Sequence, residues 1–354
     1  MIEKSENLST MGLSNSDRYN RELFNPLVSL TQLSHFTWSS SIPINSGITS
    51  LFEFLRISSK LEFLKLNITE PYRYSKEELI ALTDGFKALK SLRHLEILNF
   101  YCSGQEVVEK LMQGISYCTN LRKFLIKYED VLTCKKRRIV YETIGNFKYL
   151  ESLEVYFYDT SVYISPLAFY EMLGSLRKLR TLIAHIQFVE SNMDFFISEF
   201  SKYISPKLQL GLTLRLSNPR MYFLKKIAIA MMKLQALFQL KIELYVLDGV
   251  NESIYDDINS FNYTLTLLPN IKDLDYFVNA GETSSVRFLE YITQLFPKMS
   301  RLRALKIDIE GNQRDTCERQ KETLITRLAP MQELEEVCIK VNRQFVVQYH
   351  KHLK

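Results

Sequence analysis

The chain has 354 residues, of which 46% are hydrophobic and 24% charged, and a formal net charge of +5. That length exceeds one ordinary hydrophobic core, so it demands either several globular domains or repeats in which each unit touches only its neighbours. No apolar run approaches the ~18 residues of a membrane-spanning helix, and no acidic tail, low-complexity tract or Pro/Gly/Ser linker interrupts the chain.

In chain order, residues 1–26 read as a polar leader and N-terminal cap. Met1 to Glu6 lacks the apolar stretch of a secretory signal. Asp17 to Phe24 is expected to form a short helix over the open edge of the first strand, whose backbone groups would otherwise stay unpaired. Residues 27–354 read as a single domain built on eleven copies, several of them degenerate, of an apolar triplet of the form L-x-x-L-x-[L/I/V/F/W/Y]. The copies begin at Leu33, Leu61, Leu92, Leu121, Leu150 and Leu179, then at Leu208, Leu237, Ile271, Leu302 and Leu334. Through the middle of the chain the interval is 29 residues, a fixed period that signals one supersecondary unit stacked many times.

Within each copy the last two apolar residues stand two apart, as in Leu64 and Leu66 or Leu95 and Ile97, which is the period of a strand. A helical period follows. Leu79, Leu82, Phe86 and Leu89 share one face, as do Ile254, Ile258, Phe261, Leu265 and Leu268. Ser75-x-x-Glu78 and Ser103-x-x-Glu106 predict capping boxes. Ser165-Pro166 and Asn218-Pro219 predict helix starts with proline at the first position. The seventh copy has Gly211 where leucine is expected. A slip of one residue, turning Leu212 and Leu214 inward, restores the pattern, with a bulge or shortened turn near Pro206 as its cause. Asn342 to Lys354 is expected to be a final short helix.

On these residues the chain resembles leucine-rich repeat proteins of the ribonuclease-inhibitor-like class, over roughly residues 27–354. The resemblance implies an α/β leucine-rich repeat solenoid, a horseshoe with a parallel sheet on the concave face and helices on the convex face. The class places Asn or Cys after each strand. Here the first six copies carry Ser41, Thr69, Phe100, Glu129, Tyr158 and Gln187 instead, while Asn279 and Asn342 keep the amide.

The strand residues between the inward leucines would line the concave face. They are His35, Lys65 and Asn67; His94 and Glu96; Lys123 and Lys127; Glu154 and Tyr156; His185; and Arg215 in the shifted register. The row continues with Lys241 and Glu243, Asp273, Asp275 and Phe277, Lys306 and Asp308, and Glu336 and Lys340. Both signs occur together, aromatics are sparse, and a nucleic-acid groove would instead be a stripe of cations. Mixed sign fits a protein partner, for which charge sets orientation and association rate.

Lys135, Lys136, Arg137 and Arg138 form the densest basic run, read as a solvated surface first and as a nuclear-import signal or phosphate contact second. The cysteines Cys102, Cys118, Cys134, Cys317 and Cys338 show no metal spacing and are expected to be free thiols in a reducing compartment. Phosphate-loop, zinc-protease and nucleophile-elbow motifs are absent. His350 and His352 would not share a helical face. Asp273 and Asp275 project the same way, but from an open, wet sheet.

The sequence therefore predicts a non-enzymatic, cofactor-free interaction module, monomeric on its own and cytoplasmic or else nuclear, that binds a protein through its concave sheet. Three further readings remain: a substrate receptor of a ubiquitin ligase and a GTPase-regulator-like protein, both from the resemblance, and a subunit of an RNA-protein assembly contacting nucleic acid through Lys135 to Arg138 and Lys123/Lys127.

Overall fold

Among the described residues most triplets turn inward as their pattern predicts, because burial selects them. Leu61, Leu64 and Leu66 are at most 1% exposed. A fully buried leucine contributes about 2 kcal/mol, so one triplet outweighs any single helix cap, worth about 1 kcal/mol. The computed structural model describes residues 10–15, 32–40, 48–68, 74–100, 104–128, 133–158, 167–187, 202–203, 208–217, 227, 229, 231–234, 236–245, 253–268, 270–279, 285–294, 298–299, 301–311 and 318–350.

The chain divides into two compact units, Met1–Tyr158 with Tyr163–Thr181, and Asp159–Val162 with Leu182–Lys354. In the first, strands β1 (Thr10–Asn15), β2 (His35–Ser40), β3 (Phe63–Ile68), β4 (His94–Phe100), β5 (Lys123–Tyr128) and β6 (Ser152–Tyr158) pair in chain order, all parallel. Helices α1 (Ile48–Ile57), α2 (Lys76–Ala88), α3 (Gln105–Ser116), α4 (Cys134–Gly145) and α5 (Leu167–Ser175) pack each against the next. They cover one face of the sheet and leave the other open.

The second unit holds all but the first residue of β7 (Thr181–Gln187), followed by β8 (Gln209–Ser217), β9 (Leu237–Tyr245), β10 (Asp273–Asn279), β11 (Ala304–Glu310), β12 (Glu336–Val341) and β13 (Gln344–His350). From β8 to β12 the ladder is parallel. Its described helices are α6 (Ser253–Leu265), α7 (Ser285–Thr293) and α8 (Glu318–Leu328).

Several expectations meet a different local structure. Within the predicted leader, Thr10–Asn15 adds a strand parallel to β2; the helix expected over Asp17–Phe24 lies outside the described residues. The final helix is instead a strand, β13, antiparallel to β12. Asn342 and Arg343 have φ of 50° and 67°, the two left-handed residues that a tight hairpin needs, and Phe345, Val346, Val347 and Tyr349 favour strand. His350 closes β13, and His352 lies outside the described residues.

The Ser75/Glu78 capping box forms, with the Ser75 N–H donating to Glu78 at 2.7 Å and the Glu78 N–H donating to Ser75 Oγ at 3.2 Å. At α3 the cap is Gly104, with no side-chain hydrogen bond, and Ser103 is outside the described residues. So are the Ser165-Pro166 and Asn218-Pro219 steps. The slip in the seventh copy is present: Leu212 and Leu214 are buried opposite Leu240 and Ile242. Its bulge lies between Leu210 and Gly211, where β9 carries the extra residue Phe238, rather than near Pro206.

Candidate functional site

Strand alternation decides what the open face displays. In β10 the burial pattern runs intermediate, buried, intermediate through Asp273, Leu274 and Asp275, and the parallel register lines up every neighbour. Side by side across β8 to β12 stand Thr213, Lys241, Asp275, Lys306 and Cys338, with Arg215, Glu243, Phe277, Asp308 and Lys340 in the next row.

At a strand spacing of about 4.8 Å, long side chains of adjacent strands meet. Arg215 lies 3.5 Å from Glu243, which takes Lys241 at 3.0 Å. Lys241 reaches Asp275 at 4.0 Å, and Asp275 takes Lys306 at 3.6 Å. Burial works against the Lys241 ammonium, yet its hydrogen bond to Glu243 and the fields of Asp275 and Glu243 hold its pKa above the ordinary lysine value. Arg215 also donates to the Tyr245 hydroxyl at 2.9 Å and lies 4.8 Å from that ring's centre, and the Tyr245 and Phe277 rings are 5.6 Å apart.

Two carboxyls of this face titrate upward. Burial raises Asp273 and Asp308, against the fields of Lys272 and Arg303 for the first and of Lys340 and Lys306 for the second. Asp308 Oδ1 is buried and accepts no hydrogen bond among the described residues. Asp275 is tied to two lysines, Lys241 and Lys306.

In the first unit Glu96 is the hub of the open face. It takes Lys65 at 2.8 Å and His94 at 3.1 Å, and the His94 hydrogen bond, outweighing burial, holds its carboxyl at about 2. Tyr156 donates to Glu154 at 3.0 Å, and Lys127 sits 5.8 Å from the Tyr156 ring. Lys123 is exposed and His185 half-buried.

The predicted face residues therefore all occupy open-face positions, but sequence reasoning undercounted the aromatics. Phe63 lies between His35 and His94, with ring centres 5.7 and 4.7 Å away. It stands at the same third position of its copy as those histidines, and that spacing was the available signal. A polar ladder was also missed. Asn99 donates to Asn67 at 2.9 Å, and Asn67 donates to Ser39 at 3.1 Å. Asn342 plays the part the repeat pattern assigns it, accepting the Gly311 N–H at 2.9 Å.

The basic run of α4 is not one patch. Lys135 and Arg138 are exposed, whereas Lys136 and Arg137 are only 7% and 8% exposed. Thr133 caps the helix by accepting the Lys136 N–H, and Arg138 pairs with Glu142 one turn on at 2.6 Å. Helical period divides neighbours in sequence between a packed and a solvated side.

Strand, turn and helix recur at the leucine period, with a parallel ladder inside each unit and leucines turned under the helices. The fold is a leucine-rich repeat solenoid. Over 98% of this chain and 94% of the other, it is similar to the crystal structure of the leucine-rich repeat-containing protein LegL7 from Legionella pneumophila, at 12% sequence identity and a TM-score of 0.49. Neither a protein-family model nor a curated protein matches the chain. Among the described residues of the solenoid, no group of three or more His, Cys, Asp or Glu side chains could hold a metal, and no helix is long and apolar enough to cross a membrane.

Proposed function

We propose that this leucine-rich repeat chain is a non-enzymatic interaction module that binds a protein through the open face of its sheet. One observation carries the reading: Arg215, Glu243, Lys241, Asp275 and Lys306 form a chain of alternating charge across four adjacent strands. Each exposed pair adds little stability, about 0–1 kcal/mol. Their value lies in order. Immobilising a long side chain on docking costs roughly 0.5–1.5 kcal/mol, and here neighbours already hold these side chains in place.

Alternating sign suits a complementary protein surface and opposes a polyanion lying along the same row. The Arg215, Tyr245 and Phe277 group supplies the residue types that dominate binding energy at protein interfaces. The free thiols of Cys118 and Cys338 fit a reducing compartment, so we place the protein in the cytoplasm or nucleus, as a single copy before its partner binds.

The test compares partners captured by the tagged native chain in its own cells with those captured by Arg215→Glu/Lys241→Glu/Lys306→Glu. Circular dichroism first establishes that the variant is folded. A partner lost with the variant supports the open face, and its identity separates a ligase receptor from a GTPase regulator. A partner retained by both rejects this face.

A further inference from the structure

The turns that lead from each helix into the next strand of the first unit carry a charge excess that the open face does not. These turns are residues 59–63, 90–94, 119–123, 148–152 and 177–181, all of them described. They hold nine Lys or Arg and two carboxylates, Glu62 and Glu151, a local excess of seven on a chain whose whole net charge is +5. All nine cations are exposed.

Backbone hydrogen bonds place the turns in one row. The Glu62 carbonyl accepts the Arg93 N–H at 2.9 Å, the Arg93 carbonyl accepts that of Arg122 at 2.8 Å, and the Arg122 carbonyl accepts that of Glu151 at 2.8 Å. The Glu151 carbonyl accepts the Arg180 N–H at 2.8 Å. Successive turns therefore rise by about one strand spacing, ~4.8 Å, and the cations form a line along the rim of the sheet.

Helix C-termini favour cations, but that preference does not account for the stripe. In the second unit the described residues of the equivalent turns, within 235–239, 269–273, 300–304 and 332–336, carry Lys272, Arg301 and Arg303 against Asp273, Glu333, Glu335 and Glu336. Together they carry three cations against four carboxylates, although the turn with Arg301 and Arg303 is cationic by itself. Of the first unit's cations, Arg122 pairs with Glu151 at 3.3 Å, while Arg93, Lys123 and Arg180 have no ion-pair partner among the described residues. Nine cations held in a row with only two carboxylates among them suit a linear anion.

Aromatic rings lie along the same rim. Tyr149 is 47% exposed with the Lys178 ammonium 4.3 Å from its ring centre, and Tyr117 lies under Lys87 and Lys90 at 5.6 and 5.3 Å. Phe63 and His94 open onto the sheet beside Arg93. A cationic track bordered by rings is the arrangement that holds single-stranded nucleic acid without reading sequence. A membrane surface would instead require several exposed apolar anchors between the cations, whereas Tyr149 is the one large exposed hydrophobic among these described turn residues, and Thr119 and Asn120 are polar.

We propose that this rim binds the phosphate backbone of a single-stranded nucleic acid, independently of base sequence and of the charged row across β8 to β11.

Fluorescence anisotropy of the full chain with labelled 20-nucleotide oligo-U and oligo-dT, from 50 to 200 mM salt, tests it. The expected result is binding whose affinity falls with salt at a log–log slope of roughly −3, as about four to five phosphate contacts give. Arg93→Gln/Lys148→Gln/Arg180→Gln is expected to weaken binding at least about tenfold and make the slope shallower by about two. Lys241→Gln/Lys306→Gln on the second unit is expected to change neither. Equal binding of the two oligomers fits phosphate recognition, and a preference for oligo-U adds recognition of the ribose hydroxyl. Absent binding at 50 mM salt, binding insensitive to salt, binding unchanged in the folded rim variant, or binding only to phosphatidylserine vesicles or an acidic polypeptide would each overturn the proposal.

Discussion

Glu96 Oε1 lies 3.1 Å from His94 Nε2 on the open face, while its second oxygen holds Lys65 at 2.8 Å. One carboxylate thus orders a histidine of its own strand and a lysine of the neighbouring one. The His94 hydrogen bond is the largest influence on its pKa of about 2, and the Lys65 contacts add to it.

A depressed carboxyl stabilises the fold wherever it is ionised in both states, and that stability is lost as protons bind the unfolded chain first. The Glu96 contribution is therefore complete above about pH 4.5 and disappears as pH falls toward 2. Glu96→Gln should cost roughly 1–2 kcal/mol at pH 7, the size of a hydrogen bond to a charged group after screening. Urea unfolding at pH 7 and pH 3 checks this; a difference from wild type that does not shrink at the lower pH would refute it.

Asp308 should behave in the opposite sense. Burial raises its carboxyl, and Oδ1 has no donor among the described residues, so ionisation opposes folding as pH rises through its folded value. Asp308→Asn is expected to stabilise the fold at pH 7 by only a few tenths of a kcal/mol after solvent screening, read as a higher urea midpoint. The gain should vanish below the carboxylate range, where the wild-type group is neutral in both states. A lower midpoint for the variant at pH 7 would contradict this assignment.

Gly85 and Gly174 make a matched pair. A Cβ on Gly85 would meet the Phe52 carbonyl oxygen of α1 at 2.9 Å, whereas one on Gly174 would meet nothing within 4 Å. Gly85→Ala should destabilise by about 1–3 kcal/mol through overpacking between α1 and α2. Gly174→Ala should be neutral or up to about 1 kcal/mol stabilising through helix propensity. Thermal unfolding of the two variants reads the contrast directly.

The β12–β13 hairpin depends on its turn. Asn342→Ala removes the acceptor of the Gly311 N–H and places alanine at φ 50°, and should cost about 1–2 kcal/mol. Arg343→Gly relieves a non-glycine residue at φ 67° and gives up an exposed pair with Glu310, so little or no stability should be lost. Hydrogen exchange of β13 amides should accelerate in the first variant and not in the second.

Some open-face positions were legible from spacing alone. Arg215 reaches the open face because Leu212 and Leu214 are the apolar residues that restore alternation, and the structure places the compensating bulge at Phe238. Phe63 was as visible by position, but a large ring reads as core by composition. Asn99 was hidden for another reason. It follows Leu98 with φ 54°, and that backbone turn lets it reach Asn67.

The sequence by itself determined the repeat, the inward triplets and the side of each strand on which a residue emerges. Those follow from short-range periods of burial, which a chain shows wherever one face is packed and one is wet. Which charges meet was decided only by the tertiary structure. Arg215 and Glu243, or Arg122 and Glu151, lie about one repeat apart in sequence and come within 3.5 Å only because the strands stack in register. The same stacking turns lysines and arginines scattered through five turns into one cationic rim. It splits the run from Lys135 to Arg138 into buried and exposed halves, because helical period, not adjacency, sets what faces water.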